Sequence, residues 1–94
     1  MHERVLRQMR EKIRTRQYIM TTHAEEEMDD DGFTIFDVER AVLNGHIVER
    51  QMDEHTTEWK YMVAGASVTG ELLCVVSKLS VTDKLVIITV YREG

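Results

Sequence analysis

The sequence predicts a single α+β domain: an N-terminal helix, a short strand and two further helices, then a four-stranded antiparallel meander. Three observations predict it. Apolar residues recur at helical spacing up to Asn44 and at a period of two after Gly45. The connections between the later apolar runs are short, which makes successive strands antiparallel neighbours. The 94 residues contain no proline and no Gly/Ser-rich linker, so nothing divides residues 1–94 into two domains.

Val5, Leu6, Met9 and Ile13, with Arg and Lys between them, make an amphipathic helix over about Glu3–Arg16. Tyr18-Ile19-Met20-Thr21 is β-branched and aromatic and fits a brief strand. Thr22 reads as the N-cap of the next helix, with Glu25 in the capping-box position. Glu25 and Glu26 in the first turn suit the helix dipole. This helix runs to about Asp30 and stops near Gly32. A second cap follows, Thr34 with Asp37, and Ile35, Val38, Ala41 and Val42 form the buried stripe of a helix ended by Asn44-Gly45.

The meander then reads as strands over Ile47–Met52, Glu58–Ala64, Leu72–Leu79 and Leu85–Tyr91. Turns fall at Asp53–Thr56, Gly65–Gly70 and Val81–Lys84. Trp59, Tyr61 and Val63 share one face of the second strand. The last two strands are nearly continuous apolar runs, which places them centrally and buries them on both faces.

The composition narrows function by exclusion. A hydrophobic fraction of 43% is that of a globular chain. No apolar run is long enough to span a membrane, and the first residues do not lead into a signal peptide. The lone Cys74 suits a reducing cytoplasm rather than a disulfide framework. Charge is unevenly spread within a net of −5. Met1–Thr22 holds six basic and two acidic residues, and His23–Asp31 holds six acidic and no basic ones. The basic segment could touch RNA, or it could be the solvated face of a helix lying against the acidic stretch.

His23, just inside a helix start at a strand-to-helix corner, is the leading candidate for proton transfer. Its plainer role is a pairing with Glu27 one turn on. Tyr91 and Arg92 close the last strand and could project toward the same end of the sheet. Arg suits a phosphate and Tyr can stack on a base; otherwise they are a terminal aromatic over the core and a solvated cation. Lys60 and Arg16 are the candidate substrate-binding cations, with Lys60 and Tyr61 on opposite faces of one strand. His2, His23, His46, His55 and Cys74 lack the paired spacing of zinc ligands, and there is no Gly-rich phosphate loop, so neither a metal nor another cofactor is expected.

Thr22-His23-Ala24, Met28, Gly45-His46-Ile47-Val48-Glu49, Val75-Val76 and Ile88-Thr89-Val90-Tyr91 together resemble a bacterial and archaeal family known as domain of unknown function 4258. The resemblance covers about 17–92, outside the amphipathic helix of residues 1–16. It implies a RelE- or BrnT-like toxin fold, with helices packed on one face of an antiparallel sheet. It further implies a metal-independent ribonuclease of a toxin–antitoxin system, or an inactive descendant of one. His23 would be the acid/base and Tyr91 or Arg92 a substrate contact, with RNA and an antitoxin protein as partners. The chain departs from the family's pattern at three places. Glu27 and Asp31 stand where Arg is usual, and Cys74 falls near a common His position. Carboxylates beside a phosphate site repel it, so the alternative expectation is a non-catalytic interaction domain, for instance a homodimer.

Overall fold

The structure, a computed structural model, describes residues 2–93. Helix α1 (Glu3–Arg14), strand β1 (Tyr18–Met20) and helices α2 (Thr22–Asp30) and α3 (Ile35–Asn44) come first. Strands β2 (His46–Met52), β3 (Trp59–Ala66), β4 (Leu72–Leu79) and β5 (Leu85–Arg92) follow. The α+β class and the element order are those the sequence predicts.

The sheet itself needs a correction. It has five strands and is mixed, in the order β1-β5-β4-β3-β2. The last four strands form the expected antiparallel meander. Strand β1 joins β5 in parallel, with Tyr18 opposite Leu85, Ile19 opposite Val86 and Met20 opposite Ile87. A strand this short carries too little pattern to name its partner. Its pairing also closes a long excursion of the chain, which local reading does not see.

All three helices feed one core. Leu6, Met9 and Ile13 of α1, Ala24 of α2, and Val38, Ala41 and Val42 of α3 are buried with Val63, Val75, Leu85, Ile87 and Val90 of the sheet. Residues opposite each other in an antiparallel register point to the same face. Val63, Val75 and Val90 therefore share the helix-covered face, while Lys60, Met62, Cys74, Val76 and Tyr91 share the other. Trp59 lies on the face of Tyr61 and Val63, as alternation requires. At the strand end it is exposed, with the Arg50 guanidinium 3.9 Å above its ring. Burial on both faces holds for β4, where Leu73–Ser77 are all buried, but β5 is buried mainly on its helix side.

Two helix ends differ from the sequence reading for local reasons. Thr21, not Thr22, caps α2: its hydroxyl accepts from the Ala24 N–H at 3.1 Å. The same residue pairs with the sheet, since its N–H donates to Ile87 O at 3.0 Å and its hydroxyl to Ile88 O at 3.0 Å. Strand therefore passes into helix with no loop between. Helix α1 stops at Arg14 rather than Arg16. The Gln17 N–H reaches back to Lys12 O at 2.8 Å and the Arg16 N–H to Ile13 O at 3.2 Å. This closure puts Arg16 in the left-handed region at φ 57°, where a β-carbon costs roughly 1 kcal/mol and glycine costs little. We expect Arg16→Gly to raise stability by about 0.5–1 kcal/mol in urea unfolding, whereas Arg16→Ala should bring no such gain.

The basic segment is not simply a solvated face, and it packs on α3 rather than on the acidic helix. Arg10 turns inward, donating from Nε to Val42 O at 3.2 Å and from Nη2 to Gly45 O at 2.8 Å. It thereby satisfies carbonyls that the end of α3 leaves free and sets a positive charge at the negative end of that helix.

The second half of α3 lies almost in contact with the sheet backbone. A β-carbon on Gly65 would fall 2.2 Å from Ala41 O and 2.8 Å from Ala41 Cα. One on Gly45 would fall 2.4 Å from both Ala41 O and Ala64 O. Gly65, read from the sequence as the start of a turn, is therefore a strand residue whose missing side chain admits the helix.

Candidate functional site

Beyond Ile87, β5 has no strand partner on its β1 side among the described residues. Its remaining N–H groups along that edge, on Val90 and Arg92, need acceptors. They recur every second residue, about 7 Å apart along a strand. Residues four apart on a helix recur every 6 Å or so. Helix α2 runs alongside and uses this near-match. Glu27 Oε1 accepts from the Val90 N–H at 3.2 Å, and Asp31 Oδ2 accepts from the Arg92 N–H at 3.2 Å. Two carboxylates of the acidic run thus complete the sheet edge where β1 gives out, rather than forming a solvated face.

His23 sits one turn before Glu27. Its Nε2 lies 3.2 Å from the same Glu27 Oε1 that takes the Val90 N–H, and its side chain is 66% exposed. The pairing with Glu27 is thus present and the imidazole is open to solvent. Arg92, in contrast, is committed. Its Nε donates to Glu71 Oε2 at 2.9 Å, its Nη2 to Asp31 O at 2.9 Å, and its guanidinium lies 5.3 Å over the Phe33 ring.

The other candidates lie apart. Tyr91 follows Val90 in the strand and so points to the face without helices, opposite Cys74. Interaction with the Cys74 thiol, and then burial, push its phenol up to about 12, so it is a hydroxyl donor at neutral pH. Burial raises the Cys74 thiol as well. Lys60 shares that face, but two strands across and several residues along, on the order of 15 Å from Tyr91 by strand geometry. Arg16 lies beyond the opposite end of β5, beside Gln17, whose carbonyl accepts from the Leu85 N–H at 3.0 Å. The structure brings His23 and Arg92 to one seam, along α2, and leaves Tyr91, Lys60 and Arg16 elsewhere. Among the described residues no group of His, Cys, Asp and Glu is gathered to hold a metal ion, and no helix is long and apolar enough to cross a membrane.

Chemically, an exposed imidazole oriented by a carboxylate can exchange protons with a bound group. The same seam offers a phosphate only the carboxylates of Glu27 and Asp31 and an arginine already paired. Sequence reasoning missed the edge role of these two acids because it depends on where β1 ends. It also missed an exposed apolar stripe on α3. Phe36, Glu39, Arg40, Leu43, Asn44 and Val68 line a groove of about 420 Å³ between this helix and the β3–β4 turn.

The model of a family described as Domain of unknown function (DUF4258) matches residues 20–92, everything but the first helix, most of β1 and the final residues. No curated protein and no solved structure matches the chain.

Proposed function

We propose, from the premise that the chain belongs to the DUF4258 family, that this member works by binding a protein partner rather than by cleaving a bond. The observation that supports this reading is the use made of Glu27 and Asp31. They hold the edge of β5, and Asp31 with Glu71 takes up Arg92. The cation that a phosphate would need is spent on the fold, in surroundings that repel an RNA backbone.

A second reading is favoured by one feature, the exposed His23 held by Glu27. In it the domain is a RelE-like toxin of the cytoplasm, neutralised by an antitoxin. His23 takes a proton from a ribose 2′-hydroxyl as that oxygen attacks the neighbouring phosphate, and the 5′-oxygen leaves with a proton from a second acid or water.

Induced expression in a bacterial host separates the two, with growth followed for the wild type beside His23→Ala and RNA cleavage assayed on both purified proteins. The binding reading expects unimpaired growth and uncut RNA from both. Growth arrest by the wild type, relieved by His23→Ala and matched by RNA cleavage in vitro, would overturn it.

A further inference from the structure

Three large apolar side chains stand out of the surface around one groove: Phe36 is 60% exposed, Val68 58% and Leu43 37%. Phe36 and Leu43 are seven residues apart on α3, so they lie on one line along the helix. At about 100° per residue, Glu39 flanks this line on one side and Arg40 on the other. The two charges are differently placed. Glu39 is held by the Tyr18 hydroxyl, which donates to its Oε2 at 2.5 Å. Arg40 is exposed and, among the described residues, has no hydrogen bond or ion pair.

An apolar line with a fixed negative charge on one flank and a free positive charge on the other is complementary to itself. A parallel pair of such helices about a two-fold axis seats Phe36 on Phe36 and Leu43 on Leu43 of the partner. It sets Glu39 of each chain opposite Arg40 of the other, so the ion pair forms twice. An antiparallel pair would put like charges on the same side. The geometry points to a second copy of this chain as the occupant of the α3 stripe, with Val68 of the β3–β4 turn widening the contact. This names the partner for the binding reading above and rests on it. One short helix and a turn bury less than a standard interface, so the dimer is weak and belongs to the micromolar range or above.

The test is a charge exchange followed by sedimentation equilibrium from micromolar to millimolar concentration. The wild type should show a reversible monomer–dimer equilibrium. Glu39→Lys sets two cations against each other across the interface, and Arg40→Glu sets two carboxylates against each other. Each alone should weaken dimerisation at least about tenfold. Mixing the two variants sets opposite charges against each other in both pairs, and a heterodimer should form. Phe36→Ser, at an exposed position that leaves the core intact, should abolish the dimer and serves in place of Glu39→Lys if loss of the Tyr18 bond unfolds that variant. A wild type that stays monomeric throughout, or a dimer indifferent to Phe36→Ser and Arg40→Glu, overturns the inference. Either failure leaves the binding reading to be decided by growth and RNA cleavage, which do not depend on dimerisation.

Discussion

Gly65→Ala should cost about 3 kcal/mol of stability, the upper end of what overpacking usually costs. The added methyl would sit 2.2 Å from Ala41 O and 2.8 Å from the Ala41 carbonyl carbon and Cα. These are backbone atoms of a helix pinned at its start by Asp37 and at its end by Arg10. A side chain could rotate away, but here α3 must shift as a body or β3 must bend. Because the obstacle is backbone, Ala41→Gly should not rescue Gly65→Ala, and the double variant should unfold at no higher urea concentration than the single one. A loss well under about 1 kcal/mol, or rescue by Ala41→Gly, would show that the helix yields easily and that the close approach is not a constraint on the fold.

The same contact shows how far the sequence could be read. The Thr34–Asp37 capping box, the buried stripe of α3 and the period-two strands are local patterns, and each is present in the structure. A glycine beside a turn reads as part of the turn, however, unless a helix is known to press on it. Local pattern therefore misplaces Gly65, and β3 runs on to Ala66. The β1–β5 pairing and the edge roles of Glu27 and Asp31 depend on contacts between residues some 60 apart in sequence, and no periodicity carries that information. The pairing of His23 with Glu27 was legible because it spans one helical turn. The separation of Tyr91, Lys60 and Arg16 from the seam that holds His23 and Arg92 was not. Alternation along β5 sends Tyr91 and Arg92 to opposite faces, and the register separates Lys60 from both.

Asp37 is expected to give the largest pH-dependent effect, because three donors meet at its buried carboxylate. The Thr34 N–H donates to Oδ2 at 2.8 Å, the Thr34 hydroxyl reaches the same oxygen at 3.2 Å, and the Val68 N–H donates to Oδ1 at 2.9 Å. The box thus ties the start of α3 to the β3–β4 turn and holds Val68 beside Phe36. Asp37→Ala leaves two N–H groups without their acceptor and should cost about 2–4 kcal/mol at neutral pH. Asn keeps the shape but turns one acceptor into a donor facing a donor, so Asp37→Asn should lose most of the same amount. The Thr34 N–H foremost, helped by Val68 and opposed by burial, holds the Asp37 carboxyl below the ordinary aspartate value of 3.8. A carboxyl with a lowered folded value stabilises the fold above its unfolded value. That stabilisation is lost as pH falls through the folded value. The gap between wild type and Asp37→Asn should therefore be constant from neutral pH down to about 4 and then close as the wild type is protonated. Comparing the two proteins cancels the other carboxylates, such as Asp53, whose values are also lowered. Urea midpoints measured for both across this range decide the matter. A gap that stays constant into strong acid would mean that the charge on Asp37 contributes nothing beyond its shape.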